Sequence, residues 1–481
     1  MANDLQNIIY TEIQKAVGPI AAQLKFNNLL PFSESTVGDF PWFWENGSDF
    51  NASTFQWLNK RLRYNNDGYA ETDGSLLNTD LYNVMQVIQY QLDSAEESKL
   101  NEAILANAPI INTLIRQWVS LEGALPPDAD TMRKQLDYIT AGILSWGPEG
   151  LTLQQLRNSI DPMALLPNIP VGGDLVVSTL MTYLQKTDSV AGIQNSLSSF
   201  NNQIKQVVRN FTATTLKPGF MQTVDSSGKK KVEIEMRVLE SVAAIQNELL
   251  PKQGGRSFSA SFQASKLDAE TVSLSVQGGA SGSGRLGFLF GFNAQAGASY
   301  NMFSADSSLT ECDIELTFNG VTAITPQFTA FDINSLTGWW YPLPIADAAN
   351  PRSDESGYRF TLKPMYDFAV KGNFGALGRL LISQQPVITL RYHTSNYQAF
   401  QETFKQDASW GISFLGIKLA GGSESYYRST TSYDSQSQTV TVTMSPAGIN
   451  APLSPTDQLA NVIGVQVVWP GATQKQNLAH F

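Results

Sequence analysis

The spacing of apolar residues changes character once along the chain, near residue 250. Before that point it is mostly helical. Leu5, Ile9, Ile13, Ala16, Val17, Ile20 and Leu24 form one stripe at three- and four-residue steps, behind Asn3 or Asp4 as a cap, which predicts an amphipathic helix. Residues 80–92, with Leu81, Val84, Met85, Ile88 and Leu92 in phase, predict another. Residues 98–121 predict a helix that Pro109 kinks or splits, and residues 128–146 one that Gly147-Pro148 stops. Gly172-Gly173-Asp174, after the proline-rich stretch 162–170, marks a break and a fresh helix start. The most regular pattern runs over 189–211, where Ile193, Leu197, Phe200, Ile204, Val207 and Phe211 alternate four- and three-residue steps, a heptad seam. Such a seam fits an ordinary bundle helix, and it also fits a subunit contact through Ile193, Leu197, Phe200 and Ile204.

After residue 250 the period becomes two. Phe258, Ala260, Phe262 and Ala264 share one face, as do Cys312, Ile314, Leu316 and Phe318; Tyr358, Phe360 and Leu362; Ile388, Leu390 and Tyr392; Val440, Val442 and Met444; and Ile463, Val465, Val467 and Trp469. Alternating strands without long helices between them predict antiparallel, sandwich-like sheets. Asp225-Ser226-Ser227-Gly228 reads as the turn of a hairpin that leads into residues 232–236. The expected class is α+β: a mainly helical bundle over 1–250, with an aromatic, Asn-rich insert at about 26–79, then a β-rich region over 251–481.

The longest alternation occupies 271–302. Its even positions include Val272, Leu274, Val276, Leu286, Phe288, Phe290, Phe292, Tyr300 and Met302, with only Gly and Ala between them, and its odd positions are mostly Thr, Ser, Gln, Gly, Arg and Asn. A turn within 278–284 makes two strands of it. Residues 408–427 begin the same way at Trp410, Ile412 and Phe414, then change phase at Leu415-Gly416, which calls for a bulge or turn. These segments fit interior strands whose glycines admit close backbone approach. They also fit a membrane hairpin, because a strand crosses a bilayer in about 9–11 residues with one apolar face toward lipid. On that second reading Leu286, Phe288, Phe290, Phe292 and Tyr300 face lipid. Trp339, Trp340 and Tyr341 lie in a loop bounded by Gly338 and Pro342; they fit either a buried aromatic corner or a docking loop, since such rings favour membrane interfaces and protein hot spots. Pro41-Trp42-Phe43-Trp44 and Trp57 fit a sugar- or protein-docking surface, or the cap and core of the bundle.

Composition narrows the chemistry. Charged residues are only 16% of the chain and the net charge is −11, so Ser, Thr, Asn and Gln are expected to supply much of the polar surface, and no basic footprint for nucleic acid exists. One cysteine, Cys312, excludes an intrachain disulfide. The start has no basic region followed by an apolar stretch, so synthesis in the cytoplasm without a signal peptide is expected, with release or injection toward a target membrane; the sequons at Asn46, Asn51 and Asn210 are then incidental. Only His393 and His480 are histidines, no zinc spacing occurs, and no nucleophile elbow or phosphate loop appears. Glu311, Asp313 and Glu315 share a strand face, which more often keeps a sheet wet than performs acid-base catalysis. No enzyme activity, cofactor or metal is expected.

A helical half followed by a β-rich half resembles, in layout, bacterial insecticidal and pore-forming toxins that combine a helical domain with β-domains; no motif carries the likeness residue by residue. The layout implies a soluble protein that oligomerises, meets a membrane or cell-surface receptor, and inserts an amphipathic β-hairpin. The alternative is a structural, self-assembling protein without catalytic activity.

Overall fold

In the computed structural model the described residues are 2–26, 28–32, 44–45, 49–50, 52–65, 68–224, 228, 230–249, 255–265, 310–394, 396–398, 400, 413–414, 417–418, 420–421, 424–425, 427–446 and 460–472. The chain is of α+β class, with helices dominating its first part and antiparallel strands its last. It does not divide linearly at residue 250. One compact unit combines Met1–Asp80, Met236–Gln327 and Tyr366–Phe481; the other combines Leu81–Glu235 with Phe328–Met365. Periodicity marks the local element, not its neighbours in space, and here the first helix belongs with the distant strands.

That helix, α1 (Ala2–Gln23), is followed in the first unit by β1 (Ser257–Ser265), β2 (Glu311–Asn319), β3 (Thr322–Ile324), β4 (Ala376–Ser383), β5 (Val387–His393), β6 (Tyr427–Asp434), β7 (Thr439–Pro446) and β8 (Asn461–Val468). A five-stranded sheet has the order β6-β7-β5-β2-β1, and a three-stranded sheet the order β3-β4-β8; every pairing is antiparallel. Even-numbered side chains of β1, β2, β5 and β7 are buried, as alternation requires, and they join Ala323, Leu381 and Ile463 of the second sheet in one core. Val17 and Ala21 of α1 enter that core, with Ile13, Ala16, Ile20 and Leu24 packed against it. The alternation expected in β8 is absent from its burial: both faces are covered from Asn461 to Val467, as befits a strand with protein on either side.

Arg61 and Asp80 form a buried ion pair in this unit, Nε to Oδ2 at 2.6 Å with side chains 8% and 10% exposed. Tyr366 donates its hydroxyl to the other Asp80 oxygen at 2.9 Å, its ring lies 4.9 Å from the guanidinium carbon, and Arg61 donates to the Asn373 carbonyl. Trp57 is also interior, edge-on to Phe32 at 5.6 Å, so this ring of the aromatic insert is core; residues 41–43 lie outside the described residues.

The second unit is built on α2 (Ser94–Ala106), α3 (Ala108–Glu122), α4 (Met132–Ser145), α5 (Leu153–Asn158), α6 (Gly173–Lys186) and α7 (Ala191–Thr212). Pro109 splits α2 from α3 by occupying the first turn of α3, where its missing N–H costs nothing. Asp93 caps α2 by accepting from Ala95 and Glu96, Thr131 caps α4, and Thr152 with Gln155 makes a capping box on α5. Gly172, at φ +87°, supplies the left-handed entry to α6. Trp118 and Trp146 stack at 5.6 Å in the core, over Gly142, where an added Cβ would lie 2.2 Å from the Trp118 ring. The helix predicted over 80–92 ends early: Leu77–Gln86 is helical, and Ile88–Gln91 is a strand paired with Gly357–Phe360. Four residues can satisfy either period, and the partner strand decides. The hairpin expected around 225–228 is present as Phe220–Val224 against Lys230–Ile234.

The Arg61 site yields a stability prediction. Asp80→Ala strands a buried guanidinium and is expected to cost about 3–5 kcal/mol, whereas Tyr366→Phe removes one hydrogen bond and costs about 1 kcal/mol; denaturant midpoints of the two variants distinguish these values.

Candidate functional site

The five-stranded sheet positions the segment singled out by its alternation. Ser265 closes β1 and Glu311 opens β2, and these two residues are register partners. The connection 266–310 therefore leaves and re-enters the sheet on adjacent strands at one end. His393, Thr439 and Asp434 share a register line at that same end. The hairpin candidates Leu286, Phe288, Phe290, Phe292 and Tyr300 lie outside the described residues. In the second alternating segment, Ser413–Phe414 pairs antiparallel with Ile417–Lys418; residues 415–416, where the phase changes, lie outside the described residues.

The solvent face of this sheet is a polar ladder. Ser259 bonds Thr317 at 2.8 Å, Gln263 donates to Asp313 at 3.1 Å, and Arg391 donates to Glu315 at 2.6 Å. His393 sits 3.2 Å from the Thr439 hydroxyl and 3.9 Å from Asp313. The carboxylates at 313 and 315 are thus tied to neighbouring strands, the ordinary use of charges across a sheet face. Among the described residues no group of three or more His, Cys, Asp or Glu is placed to hold a metal ion, and no helix is long and apolar enough to cross a membrane.

Trp339, Trp340 and Tyr341 form a corner of the second unit. Trp339 is fully buried, edge-on to Phe328 at 5.5 Å, while Trp340 stacks on Phe328 at 4.6 Å. Tyr341 packs on Phe331 at 5.0 Å and donates to Gln203 of α7 at 2.7 Å; burial raises its phenol above the usual range. Gly338 turns the chain at φ +93°, where an added Cβ would fall 2.2 Å from the Ala330 carbonyl oxygen. Asn210 of α7 donates to the carbonyls of Leu336 and Gly338, each at 3.0 Å. Of the three rings expected as a buried corner or a docking loop, the Trp339 indole is core and Trp340 and Tyr341 are partly open. Leu343, 62% exposed between two prolines, and Ile333, 55% exposed, are open apolar residues on the flanks of this loop. Reading for aromatics alone passes over them, although Pro342 and Pro344 bracket Leu343.

The seam of α7 is filled by its own unit. Ile193 and Leu197 pack in the helical core, Phe200 lies 4.5 Å from the Tyr90 ring, and Ile204 is buried. Leu197 and Ile204 are buried and Ile193 and Phe200 half-buried, so much of the seam is used within the unit. The polar positions of α7 are also used inside: Gln194 donates to Tyr183 at 3.0 Å, and Gln206 donates to Glu149 at 2.6 Å and to Asn210 at 3.2 Å. Lys217 beside Glu149, at 2.7 Å, holds that carboxyl below its usual range. A cleft of about 1450 Å³, lined in part by Glu97, Arg133, Asp137, Tyr183 and Lys205, runs along the same helix.

No protein family, curated protein or solved structure matches the chain.

Cys312 gives this region a probe. The side chain is 1% exposed and burial pushes its thiol up to about 12, so a thiol reagent at about pH 8 is expected to leave it untouched until the sheet unfolds. Fast labelling of the folded protein would show the face to be open.

Proposed function

We propose that the protein acts on membranes as a pore-forming, toxin-type protein that oligomerises and inserts residues 271–302 as an amphipathic β-hairpin. The carrying observation is the register pair Ser265↔Glu311. Because the two ends of the segment sit on paired antiparallel strands, a hairpin formed within it leaves the β1–β2 register untouched. The apolar parity also agrees: even positions are apolar in 271–302 and buried in both strands that hold it. Lys266, Asp268 and Glu270 form a charged break before the apolar run, suited to a headgroup boundary. Closure of several hairpins into one barrel satisfies the backbone in lipid, where an open sheet edge cannot persist. Trp340, Tyr341 and Leu343 supply a surface for first contact with a membrane or receptor.

Dye release from lipid vesicles tests this reading. Replacing 266–310 by an Asn-Gly turn joins two register partners through a two-residue loop, so the sheet is expected to fold while release is lost. Phe290→Asp places a charge on the lipid face and is expected to lower release about tenfold or more. Release by the turn-replaced protein equal to that of the full chain would refute the proposal.

A further inference from the structure

The cleft of the second unit is a space that the helical core leaves unfilled. Helix α7 lines it from Gln194 to Arg209, about 22 Å of helix at 1.5 Å per residue, and one face each of α2 and α4 supplies further walls. Its volume of about 1450 Å³ exceeds the about 300–1,000 Å³ of a pocket for a single small molecule. The dimensions suit an elongated ligand. Apart from 225–227 and 229, all residues of this unit are described, so the lining groups can be accounted for within it.

The lining is apolar at its base and mostly neutral and polar elsewhere. Leu100, Ile104, Leu136, Leu197 and Ile204 are buried residues of the base. Ser198 and Asn202, one turn apart on α7, are half-buried, and neither side chain makes a hydrogen bond among the described residues. Thr140 of α4 is only 9% exposed, yet its hydroxyl also lacks a partner among them; a buried hydroxyl ordinarily has one. Gln194 donates to the Tyr183 phenol at 3.0 Å and accepts from Arg157, which fixes the polar groups at that part of the cleft. The charges on the walls are of both signs and oppose one another. Arg133 pairs with Glu97 and lies 3.9 Å from Asp137, Lys205 stands in the field of Asp137, and Arg209 in that of Glu149.

This lining selects against three kinds of occupant. An ionic ligand meets no wall of a single sign. A fatty chain leaves the amides and hydroxyls unpaired, which costs binding energy. A peptide adding as a strand needs a free edge on Ile88–Gln91, which lines the cleft. One edge of that strand is paired with Gly357–Phe360. On the other, Tyr90 donates its N–H to the Asn201 amide oxygen at 2.9 Å, and the Asn201 amide donates to the Tyr90 carbonyl at 3.3 Å. We infer that the cleft binds a neutral polyhydroxylated chain, an oligosaccharide. A sugar hydroxyl both donates and accepts, as do the amides and hydroxyls of Thr140, Ser198 and Asn202, and the C–H faces of the sugar rings cover the apolar base. This inference stands without the membrane reading; on that reading the sugar belongs to the cell-surface receptor.

The test titrates the full chain by calorimetry with neutral tetrasaccharides of glucose, galactose, mannose and N-acetylglucosamine, and at least one is expected to bind. Thr140→Val keeps the shape of the side chain and removes its hydroxyl; it is expected to weaken that binding about fivefold, the worth of one hydrogen bond, with the melting midpoint unchanged. Asn202→Leu, of similar size, is expected to act likewise. Ser198→Trp fills the cleft and is expected to abolish binding, with the folded circular dichroism spectrum retained. Vesicle leakage plays no part in these measurements, so failure of the pore reading leaves their outcome unchanged. Three results overturn the proposal: no tetrasaccharide binds; one binds equally to wild type, Thr140→Val and Asn202→Leu, which places the sugar elsewhere; or a fatty acid or an uncharged hexapeptide binds more tightly than every sugar and is displaced by Ser198→Trp.

Discussion

Nine-residue strands β1 and β2 run in unbroken register from Ser257↔Asn319 to Ser265↔Glu311, and this pairing sets both the core and the outlet of the first unit. A slip of β2 by one residue would carry Ile314 and Leu316 to solvent and drive Asp313 and Glu315 into the core. Burying even one unpaired carboxylate costs several kcal/mol, so the register has no near competitor. Because it is held, the connection 266–310 has both ends at one end of the sheet. The stacking of Phe258 on Phe318 at 4.7 Å secures the opposite end, and α1 with the three-stranded sheet closes the apolar side.

The second unit solves a different problem with the same low charge content. Helix α7 is buried along an apolar seam and also along a row of amides, Gln194, Gln203, Gln206 and Asn210. Gln194, Gln206 and Asn210 spend hydrogen bonds on a phenol, a carboxylate or a backbone carbonyl, and Gln203 accepts one from Tyr341. Amides supply this satisfaction without the desolvation cost of an ion. They also fix the aromatic corner at Trp339, which ties the loop to the helix through Asn210 and Gln203. These amides are polarity that composition assigns to the surface but the helix keeps inside, and the sequon asparagine at 210 is a structural donor.

Strand faces and helix phases were legible because each rests on a local period. The buried sets in β1, β2, β5 and β7, the split at Pro109 and the break before α6 all follow from spacing and from proline or glycine chemistry. Three things were not. Ile88–Gln91 is a strand because a distant segment pairs with it, which no local period encodes. The burial of β8 on both faces, and the assignment of α1 to the β-rich unit, likewise depend on neighbours far away in sequence. At the candidate sites, the aromatic triplet and the heptad seam were each visible as patterns with two possible partners. A buried Trp339 and a seam packed on Tyr90 show that both patterns are largely used within the fold; the alternating segment is the one on which the proposed function rests.

The most direct measurement places an environment-sensitive fluorophore, one at a time, on cysteines introduced at each position from 285 to 293, and compares emission before and after exposure to vesicles. The buried Cys312 leaves these labels free of background. Insertion as a β-hairpin requires an alternating response, with even positions moving to an apolar environment and odd positions remaining in water. An equal response at both parities, or none in the presence of membranes, would contradict the account.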